Sequence, residues 1–434
     1  MGRTGRFRRY VALSCAVACA VGVGVGDVGV TGAAASPARA AAPAHPSGVA
    51  LQLEMAAKAR APGCAVARPG HARCYLKMLK APLGVVKRSS TCTVNESDGW
   101  SACNIQNAYK LTTLSATKGG SETVAVVDAY DDPNAEADLA FYRSTNGLPA
   151  CTSASGCFQQ LNQEGVTGDP PAQDMGWGGE ISLDLDMVSA VCPNCHIILV
   201  EANSNGLGDL LSSVAEAVTL GANVVTDSWG SGEFDGETGY DGDLDFPGVP
   251  ITFSSGDGAY QAGVQYPSAS QYVTSVGGTM LTPTTTGRLW KETAWVTKPT
   301  KGQPIQGSGS GCSAWEPKPA WQTDTSCSKR MTADVSAVAA LALSYDTFEP
   351  LGDAGWYFNW GTSVSSPIVA SIYALARNFS SVTTPASIAY AHPTKFYDIK
   401  SGSEGKCTPA YFCKAGPGYD GPTGLGSPKG DGGF

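Results

Sequence analysis

Histidine is almost missing, with four residues in 434. His45 and His71 lie near the N-terminus, and only His196 and His392 fall in the long remainder. An imidazole is the commonest proton acceptor for a nucleophilic side chain, so this chain leaves few places for one. His196 opens the apolar run Ile197-Ile198-Leu199-Val200 and His392 precedes Pro393, contexts that suit structural roles. Basic side chains are also few, 29 against 38 acidic, for a formal charge of −9. That balance excludes nucleic acid as a partner, because phosphate recognition needs a basic surface. Long apolar runs are lacking beyond Val25, so no later stretch is long enough to span a bilayer.

The N-terminus is different. Arg3, Arg6, Arg8 and Arg9 precede an apolar run from Tyr10 to Val25, and Ala/Gly-rich sequence then closes on Ala38-Arg39-Ala40. This order of basic, apolar and small residues is that of a secretory signal over residues 1–40, cut after Ala40 or Ala35. A membrane anchor is the alternative, disfavoured by the glycines and by the small-residue site. Fourteen cysteines agree with export, since Cys15 and Cys19 leave with the signal and an even twelve remain. Their spacing suggests local pairs: Cys64 with Cys74, Cys92 with Cys103, Cys151 with Cys157, Cys192 with Cys195, Cys312 with Cys327, and Cys407 with Cys413. Cys192-Pro193-Asn194-Cys195 could instead be half a zinc site, but two further ligands at suitable spacing are not evident.

Charge is unevenly spread. Residues 1–41 carry a net +4 and residues 42–90 a net +7, which leaves −20 on the remainder. Residues 41–90 therefore read as a short basic pro-segment or linker, either covering an acidic cleft until removed or simply solvated. The acidic body, residues 91–434, loses self-repulsion as pH falls, which suits work in acid.

Beyond Cys103, strand-like and helix-like stretches alternate: Thr123 to Asp128 then Asn134 to Thr145, His196 to Ala202 then Leu207 to Leu220, followed by Asn223 to Ser228 and Pro250 to Ser255. Such alternation predicts an α/β fold, a doubly wound and mostly parallel sheet with helices on both faces. Asp128, Glu201, Asp227 and Asp257 all fall near strand carboxyl ends, where sites in such sheets collect. Residues 280–330, rich in Gly, Ser, Pro and Thr, read as a long surface excursion pinned by Cys312 and Cys327.

Near the C-terminus, Gly361-Thr362-Ser363 opens the apolar stretch Ile368 to Ala376, which places Ser363 at the positive end of a buried helix. A helix N-terminus can hold an oxyanion, but the serine still needs a base. Glu180 and Asp184 offer one. Spacing of four stacks them on one helix face among Leu183, Leu185, Met187 and Val188, and two stacked acids are tolerated there by sharing a proton. A solvated acidic face is the plain alternative. Asp257, at the end of Ile251-Thr252-Phe253-Ser254, is either a turn residue or, protonated, a hydrogen-bond donor to an oxyanion.

These residues together resemble the sedolisin family, serine-carboxyl peptidases of subtilisin-like fold in which Glu-Asp-Ser replaces Asp-His-Ser. Four blocks carry the likeness: Glu180 to Asp184, Ser254 to Asp257, Gln265 to Thr279, and Gly361-Thr362-Ser363 with Pro367. The resemblance implies a peptidase acting on proteins or peptides, with Ser363 as nucleophile, Glu180 as base, Asp184 as its partner and Asp257 as oxyanion acid; with the signal and the carboxylate base, a secreted, acid-acting enzyme is expected, an endopeptidase and a monomer, although the sequence leaves tripeptidyl action and oligomeric state open. It implies a substrate wall at Ser228, Trp229 and Gly230, where an extended peptide would add as a strand. It also implies one Ca2+ in a loop within 397–426, held by Asp398, Ile399, Gly416, Gly418 and Asp420, whose oxygen donors suit a hard ion. A glycine-rich tail is the plain alternative for that loop.

Departures are a lead segment of roughly fifty residues where the family has a long pro-domain, Gly258-Ala259 after Asp257, and Trp360 before Gly361. Asp128 stands where a subtilisin carries its catalytic Asp, but His-Gly-Thr is lacking, so it reads as a supporting acid or a helix cap. Gly311-Cys312-Ser313-Ala314-Trp315 faintly resembles a cysteine-peptidase context, and a non-catalytic protein on a peptidase scaffold is a further alternative.

Overall fold

Short runs of Val, Ile, Ala and Leu make central strands that are buried on both faces, and with more polar edge strands they make up the eight of one sheet. They are β1 (Thr123–Ala129), β2 (Phe158–Asn162), β3 (His196–Ala202), β4 (Val224–Asp227), β5 (Ile251–Ser254), β6 (Thr274–Pro283), β7 (Trp290–Ala294) and β8 (Val335–Val338). The order is β7-β6-β5-β4-β1-β3-β2, with β8 also paired to β6. All pairings are parallel except β6 with β7. This is the doubly wound, mostly parallel α/β sheet that the alternation predicts. The computed structural model describes residues 48–61, 68, 70–82, 84, 92–297, 304–348 and 351–434. The expected secretory signal with Cys15 and Cys19, and Cys64 of one expected disulfide, lie outside the described residues.

Four helices matter for the site: α1 (Ala135–Asn146), α2 (Met175–Val191), α3 (Leu207–Thr219) and α4 (Thr362–Ala376). Every residue of α4, and every residue of α2 except Met175, is buried. Helices apolar all round belong in a core, and these two pack against each other on one face of the sheet. The amphipathic α3 covers the other face, against β1 and β3. Strand residues divide accordingly: Val124 and Val126 join the core of α2 and α4, whereas Ala125 and Val127 join that of α3. Asp174 caps α2, its carboxylate accepting from the N–H of Gly176 at 2.9 Å and of Trp177 at 3.0 Å.

Five expected disulfides are formed: Cys92–Cys103, Cys151–Cys157, Cys192–Cys195, Cys312–Cys327 and Cys407–Cys413. Cys74 is also disulfide-bonded. Within residues 280–330, β7 joins the main sheet and Gly311–Pro317 pairs with Lys329–Thr332. The stretch is thus more structured than its Gly/Ser-rich composition suggests. The described part of the basic lead segment, from Gly48 onward, belongs to the same compact unit as the sheet.

Just ahead of β8, the fully buried Arg330 holds Asp334 through two bonds, Nη1 to Oδ1 at 2.7 Å and Nη2 to Oδ2 at 2.5 Å. Asp334 also accepts from Ser275 N–H at 2.8 Å and from the Tyr390 hydroxyl at 2.7 Å. Removing one partner strands the other charge away from water. Asp334→Ala is expected to cost about 3–5 kcal/mol, read as a lower midpoint in urea unfolding.

Candidate active site

The carboxyl ends of β1, β4 and β5 converge beneath the N-terminal half of α2 and the first turn of α4. Asp128 comes from β1, Asp227 and Ser228 from the end of β4, and Asp257 from the turn after β5. Glu180 and Asp184 project from α2 one turn apart, and Ser363 is the second residue of α4. The structure therefore brings together all four residues expected to do chemistry. Asp128, Glu180, Asp184, Asp227, Ser228 and Ser363 are fully buried.

Glu180 is buried without being tied down. Neither of its oxygens makes a hydrogen bond of normal geometry, although the nearby Ser363 hydroxyl and the Tyr75 backbone N–H each draw its pKa down. Burial and then the Asp184 charge outweigh them and push Glu180 well above the usual carboxylate range. The Ser363 hydroxyl points for now at the Ser228 carbonyl, 3.4 Å away. Asp184 accepts from the Ser228 hydroxyl at 2.8 Å, leaving its other oxygen unpartnered. Burial raises Asp184 too, opposed by that hydroxyl.

Asp128 and Asp227 complete a cluster of four acids. All four of their oxygens lack partners. Burial raises both pKa values, with Asp184 and Glu180 adding repulsion at Asp128 and Asp184 at Asp227. In so dry a place, like charges a few ångströms apart cannot all ionise, and the cluster must retain protons well above pH 4. Asp128 is therefore a supporting acid and not a helix cap. Both histidines of the body stand apart. His196 is exposed at the amino end of β3, opposite the cluster, and His392 contacts the Ile388 carbonyl at 3.0 Å. Cys312 is locked to Cys327, which removes it as a nucleophile.

Asp257 braces the start of α4. Its Oδ1 accepts from Thr362 N–H at 2.8 Å and Thr362 Oγ1 at 3.0 Å. Burial pushes its pKa up to about 7, against the Thr362 donors and the charges of Arg73 and Lys77. Gly361 precedes the helix at φ 139°, and a Cβ there would run into the Tyr75 carbonyl and stand 2.8 Å from Asp257 Oδ2. Only glycine fits.

The stretch expected to form a substrate wall already has strand neighbours. Trp229 is buried, its Nε1 donating to the Val127 carbonyl at 2.8 Å and its ring edge-on to Phe253 at 4.9 Å. The strand Trp229–Gly232 pairs on one side with Gln265–Tyr266 and on the other with Arg73–Cys74 of the lead segment. Tyr75 and Thr362 are site residues that sequence reasoning missed. Thr362 had a signal, lying beside the nucleophile, whereas nothing in the composition of residues 41–90 singles out Tyr75.

In the expected calcium loop, Asp420 accepts from Gly416 N–H at 2.9 Å, from Thr423 N–H at 3.0 Å and from Thr423 Oγ1 at 2.8 Å. Asp398 accepts from Gly418 N–H at 3.1 Å and pairs with Lys400 at 3.3 Å. Burial pushes Asp420 up to about 7, and Asp398 adds repulsion. Ile399 is buried between them in sequence. The polar donors are all oxygens, and the two repelling carboxylates fit a hard cation. Among the described residues, no cluster of three or more His, Cys, Asp or Glu is arranged as a metal site.

Residues 167–396 match the family description "Subtilase family", and the chain belongs to that family. Within it, the chain's likeness is to the sedolisin family. It is 29% identical to kumamolisin of Bacillus sp. (strain MN-32) over 348 residues, 72% of this chain and 59% of that protein. It is 27% identical to sedolisin of Pseudomonas sp. (strain 101) over 353 residues, 72% of this chain and 57% of that protein. The chain thus spans under three fifths of the length of these two relatives. Among solved structures it resembles Pseudomonas sedolisin, a serine-carboxyl proteinase complexed with two molecules of pseudo-iodotyrostatin. The TM-score is 0.63 at 25% identity, covering 76% of this chain and 95% of that one.

Buried acids set the pH dependence of stability. Burial raises Glu201 and Glu237 to about 8, Glu316 to about 9 and Asp346 to about 7. Unfolded, each ionises near 4. The folded state therefore holds more protons between about pH 4 and pH 7–9, and stability is full below that window and lost as pH rises through it. Thermal unfolding should show a higher Tm at pH 4 than at pH 8.

Proposed function

We propose that this chain is a secreted, acid-acting serine-carboxyl peptidase that hydrolyses peptide bonds through an acyl-enzyme on Ser363. The observation that carries this is a serine at a buried helix N-terminus beside a glutamate with no hydrogen-bond partner, in a cluster without histidine. A histidine with a pKa of about 6.5 is mostly protonated below pH 5 and cannot accept, whereas a shared carboxyl pair still has an acceptor. With one proton on the Glu180–Asp184 pair, Glu180 takes the Ser363 proton as Oγ bonds to the peptide carbonyl carbon. Neutral Asp257 and the Ser363 N–H hold the oxygen that becomes negative. The departing amine receives the proton from Glu180, and water resolves the ester by the reverse path. Ser228, Trp229 and Gly230 form the backbone edge along which an extended substrate lies. Export rests on the first forty residues and the paired cysteines; no helix among the described residues is long and apolar enough to cross a membrane.

One Ca2+ belongs to the same reading. Asp398 and Asp420, with the carbonyls of Ile399, Gly416 and Gly418, would hold it. When bound it supplies positive charge that offsets the two carboxylates and fixes the loop.

Three measurements test this reading. Ser363→Ala and Glu180→Gln should each lower peptide hydrolysis by a factor on the order of 10^4 with unchanged circular dichroism; undiminished turnover in either would remove its role. Asp257 donates only while protonated, so activity should be present below about pH 7 and fall as pH rises through it. Asp257→Asn, a donor at every pH, should flatten that fall. Chelation should lower Tm by about 5 °C at initially saturating Ca2+, and Asp420→Asn should abolish the response.

A further inference from the structure

The turn that carries Asp257 is not held by its own sequence. It leaves β5 through Gly256 at φ 103° and reaches Ala259, a residue with a side chain, at φ 53° and ψ −172°. Such a conformation is costly for anything but glycine and persists only where the surroundings over-determine it.

Two outside groups supply that restraint. Residues 307–309 run alongside the turn: Gly309 N–H donates to the Gly256 carbonyl at 2.7 Å, Gly307 N–H donates to the Asp257 carbonyl at 3.1 Å, and the Gly307 carbonyl accepts from Ala259 N–H at 3.1 Å. A Cβ on Gly309 would fall 1.9 Å from the Ser255 carbonyl, so this approach requires glycine. The second group is the carboxyl of Glu404, 144 residues beyond the turn, whose Oε2 accepts from Tyr260 N–H at 3.1 Å. The Ser310 hydroxyl shares its proton between that same Oε2, at 3.0 Å, and the Phe412 carbonyl, at 2.8 Å. Glu404 N–H in turn donates to the Cys413 carbonyl at 2.8 Å. One side chain thus ties the turn to residues 307–310 and to the stretch 404–413.

Glu404 is fully buried, and its Oε1 has no partner. Burial pushes its pKa well above the usual carboxylate range, against the Ser310 and Tyr260 donors. A carboxyl group is expensive to place there, and an apolar side chain of the same length would fill the space while leaving Tyr260 N–H without its acceptor.

The turn touches the catalytic helix directly. Gly256 N–H donates to Thr362 Oγ1 at 3.2 Å, while Asp257 Oδ1 accepts from the N–H and the hydroxyl of that same threonine. Any shift of residues 256–260 therefore moves the oxyanion acid against the residue next to Ser363.

We propose that Glu404 is a positioning residue for Asp257: by gripping Tyr260 N–H and Ser310 it holds the strained turn in place, and so fixes the oxyanion acid against the start of α4. This rests on the peptidase reading above. Glu404 acts through Asp257 and is not itself a catalytic residue.

The test is peptide hydrolysis by the full chain from about pH 3 to about pH 8, with circular dichroism on each variant. In Glu404→Ala, kcat should fall between about tenfold and a hundredfold, with KM changed less than about twofold. The alkaline limb of the profile reports the Asp257 proton, which burial holds up to about pH 7. A loosened turn admits water to that carboxyl, so the limb should move toward acid. Glu404→Gln, which keeps an oxygen at the same reach, should restore both kcat and the limb. Lost packing alone would lower Tm and leave the limb where it stands in wild type. An alanine variant with undiminished kcat, a lowered kcat with an unmoved limb, or a glutamine variant as impaired as alanine would each overturn the proposal. Should Glu404→Ala not fold, Glu404→Asp, one methylene too short to reach Tyr260 N–H, replaces it with the same two expectations. A wild type that hydrolyses no peptide at any pH would remove the peptidase reading and the proposal with it, whereas an active wild type with unaffected variants removes the proposal alone.

Discussion

Four acids, Asp128, Glu180, Asp184 and Asp227, are shut away from water around one serine, and the rest of the site follows from what that burial forces. Ionising any one of them raises the cost of ionising the next. The cluster is stable only when it keeps protons, so its carboxyl groups share them and do not all ionise. Scarcity of histidine and abundance of buried carboxyl groups are therefore two sides of one constraint. The same constraint reaches beyond the site, since Glu201 and Glu316 are also held protonated by burial.

The fold supplies dryness by spending its most apolar helices on the site. An amphipathic helix would have put Glu180 and Asp184 at a water-facing edge. Because α2 and α4 are buried all round and pack on each other, their polar residues must find partners inside the protein, on neighbouring strands and loops or on one another. The parallel strands then deliver Asp128, Asp227 and Asp257 from the same end of the sheet. Position 361 must be glycine for the serine's helix to begin against a neighbouring carbonyl.

Much of this was legible in the sequence for local reasons. Uninterrupted apolar strands, stacked acids at spacing four and closely spaced cysteines are short-range signals, and β3, α2 and five disulfides stand where they pointed. Long-range pairing was not legible. Arg73 meets Gly230 and Lys77 meets Trp360 across separations that no local pattern encodes. The segment's basic charge hinted at an acidic neighbour but not at the register that sets Tyr75 over the serine. Likewise, the Gly/Ser-rich stretch before Asp334 hides its strands, because small polar residues buried against backbone carry no hydrophobic period.

The cross-links have a consequence for how the molecule is made. Each of the five described disulfides joins cysteines between 3 and 15 residues apart. For every thiol the nearest neighbour along the chain is thus its proper mate, and loop closure favours that encounter over distant ones. Oxidation need not wait for the sheet to assemble, and each staple can close as its own stretch emerges. The two cores on either side of the sheet share no covalent tie among these bonds, so a reducing agent would loosen short local stretches while the join between the cores rests on non-covalent contacts.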